Sequence, residues 1–184
     1  MKPSVFKPLS IALLAAAMAA TSMTTLASAD KAADAAQNNQ DWYQVWTADQ
    51  AVIFDDHDVY MEYLKTGTAP VLKKLDSKDY AGRSVVLGLR ADQASVDVNS
   101  LAAKRFLDIN LPPASDFYGE VRQDNKIFVF RRYGDMIDTM KLGSPIFSYV
   151  ELGAGPKGER VVFVLAKEEG KPEALISKFH SLNR

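Results

Sequence analysis

The sequence predicts an α+β protein: a tandem duplication of a ββαββα unit, with an antiparallel sheet and helices packed on one face. Two observations lead to this fold class. The chain aligns with itself without a gap when residues 42–89 are shifted by 76 positions onto residues 118–165. Within each copy, short apolar segments around polar turns alternate with helical patterns, which is typical of hairpins that pack against helices.

The internal repeat rests on eight identities over the aligned segment, against about three expected from average composition. The identical pairs are Val45/Val121, Phe54/Phe130, Lys65/Lys141, Gly67/Gly143, Gly82/Gly158, Val85/Val161, Val86/Val162 and Leu89/Leu165. Two unrelated stretches with the same pattern are the alternative. We expect a repeat because the matches fall where strands, turns and helix ends are predicted.

Each unit begins with a hairpin followed by a helix. Residues 43–55 and 118–131 read as paired strands around polar turns. The helices that follow carry one apolar face each, from Val59 to Leu64 and from Met136 to Met140. Gly67 and Gly143 stand where a helix ends in a residue with positive φ.

A second hairpin and a second helix complete each unit. The predicted strands are 71–77 and 84–89 in the first unit, and 146–152 and 160–165 in the second. The closing helices are predicted at about 100–109, capped by Asn99 or Ser100, and at about 172–182, with Pro172 in the first turn.

Residues 153–158, Gly-Ala-Gly-Pro-Lys-Gly, match the G-x-G-x-x-G string of nucleotide-binding turns. That site needs a strand before the glycines and a helix after them, so that the helix N-terminus faces the phosphate. Here Arg160–Leu165 follows, and its β-branched residues predict a strand. We therefore interpret the string as a hairpin turn.

The N-terminus has the features of a secretory signal peptide. Lys2 and Lys7 precede an apolar stretch, and small residues before Ala29 suit signal peptidase. We predict a signal peptide over residues 1–29, a flexible leader over 30–40, repeat unit 1 over 41–110, a linker over 111–116 and repeat unit 2 over 117–184. The expected location is periplasmic or secreted, and the absence of cysteine and the moderate signal length favour the periplasm.

Charge and composition argue against several partners. The chain has 22 basic and 23 acidic residues, and the segment after residue 29 carries about −3. This balance gives neither the basic footprint of a nucleic-acid-binding protein nor a polybasic membrane patch. No other stretch is apolar enough to span a bilayer, so we expect no membrane span in the mature chain.

No catalytic set is visible in the sequence. The chain has no cysteine, and its two histidines are His57 and His180, of which His180 reads as a surface or boundary residue. Residues 55–58, Asp-Asp-His-Asp, could be a metal site, but acidic residues before a helix also cap its N–H groups. We expect capping, and neither a metal nor a cofactor.

Arg131, Arg132 and Tyr133 occupy the positions equivalent to Asp55, Asp56 and His57. Cations are disfavoured at a helix N-terminus, so something should offset them. The alternatives are an ion pair between the units, a surface for an anionic group or acidic partner, or simple exposure to water. Most aromatic residues should be buried, although Trp42, Tyr43 and Trp46 could be exposed at the edge of the first hairpin.

We expect from these features an exported, non-catalytic binding protein whose partner is another exported or envelope protein, as for an inhibitor or immunity protein. The candidate binding residues are Trp42, Trp46, Asp55, Asp56, Arg131, Arg132 and Tyr133. The first alternative is a small anionic ligand in a pocket between the two units. The second is an enzyme of unfamiliar type using Asp55, Asp56, His57 and Arg131.

Overall fold

The structure is a computed structural model that describes residues 38–184. These residues form one eight-stranded sheet and four α-helices, which confirms the predicted α+β class. The strands are β1 (Asp41–Trp46), β2 (Gln50–Phe54), β3 (Val71–Lys78), β4 (Ser84–Leu89), β5 (Tyr118–Gln123), β6 (Lys126–Phe130), β7 (Phe147–Glu151) and β8 (Arg160–Leu165). The helices are α1 (His57–Thr66), α2 (Ala102–Leu107), α3 (Tyr133–Leu142) and α4 (Glu173–Leu182).

The four predicted hairpins are confirmed, because β1/β2, β3/β4, β5/β6 and β7/β8 each pair antiparallel. The glycine string lies in the turn between β7 and β8, where Gly153 and Gly158 have positive φ. A strand follows this turn, so the interpretation as a hairpin turn is confirmed.

Both ends of α1 and the C-terminal end of α3 follow the predicted capping rules. Asp56 is the N-cap of α1, and its side chain accepts the N–H groups of Asp58 and Val59. Gly67 and Gly143 end α1 and α3 in the left-handed conformation, with φ of 76° and 77°. Helix α2 is shorter than predicted, because residues 98–100 form a separate 3₁₀ turn; its N-cap is Leu101, so the predicted cap at Asn99 or Ser100 is wrong. Helix α4 starts at Glu173, and Pro172 is its N-cap.

The expectation of an antiparallel sheet is wrong, because the sheet is mixed. Its strand order is β3-β4-β2-β1-β5-β6-β8-β7, and the pairs β2/β4, β1/β5 and β6/β8 are parallel. The reason lies in the second hairpin of each half. Strand β4 is apolar and buried along its whole length, whereas β3 is largely exposed, so β4 takes the inner place beside β2.

The expectation that the helices pack on one face is also wrong. Helices α1 and α4 cover one face and share a core with Tyr43, Phe54 and Phe163. Helices α2 and α3 cover the other face, over a second core that contains Trp42 and Phe130. Because the inner strands are apolar on both sides, each face requires its own helical layer.

The strand order is a palindrome about the central parallel pair β1/β5. In the first half (residues 41–110) the order runs outward from β1 through β2 and β4 to β3, and in the second half (117–184) from β5 through β6 and β8 to β7. Residues 76 positions apart therefore face opposite sides. Ile53 belongs to the α2/α3 core, whereas Val129 belongs to the α1/α4 core.

The predicted signal peptide and most of the predicted leader lie outside the described residues. The end of the leader contacts both halves: Asn38 donates to the carbonyl of Asp55, and Gln40 accepts from the N–H of Tyr118, each at 2.7 Å. In the predicted linker, the N–H of Ala114 donates to the carbonyl of Asn39 at 2.9 Å. Within residues 38–184, no helix has the length and apolar character needed to cross a membrane.

Candidate functional site

A polar ladder lies on the inner face of β5, beneath α1 and α4. Tyr118, Glu120 and Arg122 alternate along the strand and therefore point to the same side of the sheet. All three are buried, although a charged pair is costly to remove from water. The rest of that face is a core of aromatic and aliphatic side chains.

Glu120 is fully buried and surrounded by donors. Its carboxylate accepts the hydroxyl of Tyr118 at 2.6 Å, the hydroxyl of Tyr60 at 2.9 Å and the amide of Asn183 at 2.7 Å. Arg122 Nη2 lies 3.5 Å from the same carboxylate. These contacts connect α1, β5 and the end of α4 through one acidic group.

Arg122 joins the ladder to the glycine-rich turn. Its Nε donates to the hydroxyl of Tyr60 at 2.5 Å, its Nη1 to Glu159 at 3.0 Å and its Nη2 to the amide oxygen of Asn183 at 2.5 Å. Burial, with the nearby charge of Glu120, holds the pKa of the Tyr60 hydroxyl well above its usual range. The hydroxyl therefore stays protonated and can accept from Arg122 while donating to Glu120.

The turn between β7 and β8 is shaped around Glu159. The second carboxylate oxygen of Glu159 accepts the N–H of Lys157 at 2.6 Å. A side chain at Gly155 would place its Cβ 2.5 Å from that oxygen, which is too close for any Cβ. The middle glycine of the string is thus required because the Glu159 carboxylate lies against the backbone.

A cleft opens beside this network, where β1 and β5 end. We call it the inter-half cleft, because α1 and β1 contribute one wall and the second half contributes the other. Its volume is about 380 Å³. The lining residues are Val45, Trp46, Met61, Leu64, Lys65, Arg122, Asp124, Pro156, Lys157, Glu159, Asn183 and Arg184. Arg122, Glu159 and Asn183 form its polar floor, and β1 and α1 supply most of its apolar wall.

The predicted arginines lie elsewhere and already have acidic partners. Arg132 donates to both carboxylate oxygens of Glu169, at 2.7 and 3.0 Å, and its Nε lies 2.5 Å from Asp135. Arg131 also binds Glu169. The hydrogen bond from Arg132 is the main reason that the pKa of Glu169 falls to about 2. These contacts offset the unfavourable position of two cations before α3.

Arg131 and Arg132 also line a wide depression of about 610 Å³ at the opposite end of β5 from the cleft. Lys171 and Lys178 contribute further positive charge there, while Asp116 and Glu173 oppose it. Lys171 is bound to Glu173 at 3.0 Å. The depression is therefore lined by charges that are largely compensated.

The aromatic candidates are buried, so the expectation that Trp42, Tyr43 and Trp46 could be exposed is wrong. Trp42 donates to Gln44 at 3.0 Å and packs edge-on against Phe106. Trp42 and Trp46 belong to the α2/α3 core, and Tyr43 belongs to the α1/α4 core. Burying these large rings removes more apolar area from water than a position at the rim of the hairpin would.

The other two aromatic candidates, Trp46 and Tyr133, also make contacts within the fold. The guanidinium of Arg83 lies 4.0 Å from the ring centre of Trp46. Tyr133 stacks on Phe106 and donates to its carbonyl at 2.7 Å. The binding candidates Trp46 and Tyr133 thus take part in packing within the described residues.

Asp55 and Asp56 differ sharply. Asp56 caps α1 and binds Arg90 at 3.3 Å, which replaces the ion pair to Arg131 or Arg132 that the sequence suggested. Asp55 is buried, and neither carboxylate oxygen makes a hydrogen bond of good geometry with the described residues. Burial raises the pKa of Asp55 to about 6, although the charge of Arg90 opposes the rise.

The sequence did not indicate the residues of the polar ladder or of the cleft floor. The available signal was the pattern Tyr-x-Glu-x-Arg in residues 118–122, with polar side chains at every second position of a strand. Such alternation is typical of a solvent-facing side, so Glu120 and Arg122 read as exposed. Asn183, which closes the network, lies after the last helix and has no local pattern.

Residues 38–184 contain no group of three or more His, Cys, Asp or Glu side chains arranged to hold a metal ion. No protein-family model matches the chain, and comparisons with curated proteins and with solved structures found no similar protein.

Proposed function

We propose that the protein is an exported, non-catalytic binding protein that holds a small organic anion in the inter-half cleft. One observation carries this proposal: the cleft floor contains a buried network of charged side chains. The corresponding positions in the first half, on the other face of the sheet, have neutral side chains. Buried ion pairs seldom add stability over an apolar replacement. A network kept at that cost beside an open cleft suits ligand binding.

We also propose that the two halves descend from one duplicated ββαββα unit. Equivalent backbone hydrogen bonds recur after a shift of 76 residues. In the first half the N–H of Ser84 donates to the carbonyl of Asp49 at 2.8 Å. In the second half the N–H of Arg160 donates to the carbonyl of Asn125 at 3.0 Å. The N–H of Arg90 binds the Gln93 side chain as that of Ala166 binds Glu169. This last pair lies beyond the segment in which the sequence repeat is visible.

The duplication supplies an internal comparison for the cleft floor. Tyr118, Glu120 and Arg122 correspond to Trp42, Gln44 and Trp46. In the first half the neutral amide of Gln44 accepts from the indole of Trp42 at 3.0 Å. In the second half the carboxylate of Glu120 accepts from the phenol of Tyr118 at 2.6 Å. Since the first half folds with neutral side chains there, the charges in the second half support a role beyond folding.

The cleft lining indicates the chemistry of the ligand. Lys65, Lys157 and Arg184 bring three cationic side chains that form no salt bridge with the described residues, whereas Arg122 is already paired with Glu120 and Glu159. The walls are otherwise apolar, and the volume of about 380 Å³ is in the range of small-ligand sites. A carboxylate or phosphate ester with an apolar body fits this combination.

The other two hypotheses from the sequence have less support. A protein partner bound by Trp42, Trp46, Arg131 and Arg132 stays a prediction, but the tryptophans are buried and the arginines are paired with Glu169. For an enzyme, Asp56 pairs with Arg90 and Arg131 with Glu169, so these side chains do not converge on one point.

Isothermal titration calorimetry with a panel of small carboxylates and phosphate monoesters tests the proposal. Lys65→Ala and Lys157→Ala should weaken binding of the tightest ligand by about fivefold or more, as expected for loss of one charge contact. Lys141→Ala is the matched control, because Lys141 corresponds to Lys65 on the opposite face. Binding by no member of the panel, or equal binding by all three variants, would contradict the proposal.

A further inference from the structure

Exposed apolar side chains are concentrated at one edge of the sheet. Among the described residues, seven large hydrophobic side chains are exposed, and four of them are Leu142, Ile146, Phe147 and Leu152, on either side of β7 or in it. Ile146 and Leu152 are 75% and 81% exposed. Single exposed apolar residues are normal, whereas a cluster at one place marks an interaction surface.

The two edge strands are protected to different degrees. Strand β3 carries Lys73, Lys74 and Lys78, and its pairing shifts register between Lys74 and Lys78. Lysines and irregular pairing are the usual ways of keeping an edge from pairing with another chain. Strand β7 has neither. Its only charged residue, Glu151, lies 3.7 Å from His180 of the same chain.

A groove runs beside the β7 edge. It lies between the end of α3 and the start of β7, and its volume is about 250 Å³. Leu142, Ile146 and Phe147 line it together with Leu165. A strand laid along β7 could place an apolar side chain in this groove while its backbone pairs with the edge.

We propose that this edge pairs antiparallel with the same edge of a second copy of the chain. Residues 146–152 are apolar at both ends, with Tyr149 in the middle. A two-fold axis at Tyr149 brings Ile146 of one copy beside Leu152 of the other, and does so twice. Glu151 then lies opposite Phe147, so no like charges oppose each other. Residues 146–152 are therefore complementary to themselves when two copies of the segment run antiparallel, which favours a second copy of the chain over an unrelated strand.

This pairing uses none of the residues that line the inter-half cleft. The cleft opens at the ends of the central strands β1 and β5, and the β7–β8 turn contributes Pro156, Lys157 and Glu159 to its wall. Ligand binding in the cleft and self-association through residues 146–152 therefore depend on different side chains, and either proposal can fail without the other.

Analytical ultracentrifugation of the protein, expressed from its full-length chain, tests the pairing. Ser148 is exposed within β7, so Ser148→Lys adds a charge to the edge without removing an apolar contact. Leu72 occupies the corresponding position on β3, which makes Leu72→Lys the matched control. We expect wild type and Leu72→Lys to dimerise, and Ser148→Lys to dimerise at least about tenfold more weakly. Unchanged circular dichroism and thermal unfolding of Ser148→Lys would show that the fold is retained.

Two results would overturn the inference. One is a wild-type protein that stays monomeric up to about 500 µM, well above the concentrations at which weak specific dimers form. The other is a dimer that Ser148→Lys leaves intact. A monomer whose β7 amides become protected from hydrogen exchange only with an envelope extract would assign the edge to a different protein.

Discussion

Asp56 and Arg132 occupy equivalent N-cap positions of α1 and α3, yet they carry opposite charges. Asp56 binds Arg90, in the segment after β4, whereas Arg132 binds Glu169, in the segment after β8. Each ion pair ties the start of a helix to the chain that leaves the inner parallel strand. The same connection is made in both halves with the charges exchanged.

We call the ion pair between Arg132 and Glu169 the clamp. It should make the free energy of unfolding depend on pH in the acid range. The pKa of Glu169 is lowered from 4.5 to about 2, mainly by Arg132. Its stabilisation is then fully present above pH 4.5 and is lost as pH falls towards 2. We expect Glu169→Gln to lower the free energy of unfolding by about 1 kcal/mol at pH 7, a value discounted for solvent screening.

Urea unfolding at pH 7 and near pH 2 measures this difference. Glu168→Gln is the control, because Glu168 is exposed and its ion pair to Lys167 is long at 3.8 Å. A Glu169→Gln deficit that is the same at both pH values would show that the clamp is not electrostatic.

Asp55 should have the opposite pH dependence. Its pKa is raised from 3.8 to about 6 by burial, so the folded state holds a proton that the unfolded state has lost. Stability therefore decreases as pH rises from about 4 to 6. Asp55→Asn should raise the free energy of unfolding by up to about 3 kcal/mol at pH 7 and flatten this slope, at about 1.4 kcal/mol per pKa unit.

The comparison is again urea unfolding across that pH range. Asp58→Asn is the neighbouring control, since Asp58 is exposed in the first turn of α1. We expect the control to change stability by about 0.5 kcal/mol or less. An Asp55→Asn variant less stable than wild type at pH 7 would mean that the carboxylate has a partner that stabilises its charge.

The polar ladder should depend on its charges being balanced. Arg122→Met leaves Glu120 buried without its cation and should cost about 3–5 kcal/mol. Adding Glu120→Gln removes the uncompensated charge, so the double variant should recover much of that loss. Chemical denaturation of the single and double variants gives the coupling between the two residues. A double variant with the full summed loss of both single variants would argue against an electrostatic linkage.

Two glycines should respond to alanine with opposite signs. In Gly155→Ala the new Cβ meets Glu159, so we expect a loss of about 1–3 kcal/mol and weaker ligand binding in the cleft. Gly134 lies within α3 with open space around it, so Gly134→Ala should stabilise by about 0.5–1 kcal/mol. Thermal unfolding ranks the two variants. Equal effects would show that the turn moves to accept the side chain.

Local structure was predictable because it depends on nearby residues. Gly67 and Gly143 end their helices, and the glycine string forms a hairpin turn, since positive φ and the following strand are visible in the sequence. The sheet order was not predictable in this way. Placing β4 inside and β3 at the edge depends on which strand of the second hairpin packs better next to β2, and residues far apart in the chain decide that.

The candidate site was missed for a related reason. Glu120 and Arg122 look solvent-exposed in the strand pattern, and only the packing of α1 and α4 over β5 buries them. Asn183 lies 63 positions after Glu120 in the chain, so no local pattern links the two residues. Conversely, Arg131 and Arg132 looked like unpaired cations in the sequence, because their partner Glu169 is 37 or more residues away.

The central parallel pair also determines the polarity of the molecule. The chain enters β1 from Asn38 at one end of the sheet, and the cleft opens where β1 and β5 finish. Six residues of strand separate these two points by about 20 Å. A passenger domain joined ahead of Asn38 would sit at the far end from the cleft mouth and leave it accessible. Residues appended after Arg184 would start at the mouth itself, so an affinity tag belongs between the predicted cleavage site at Ala29 and the first strand.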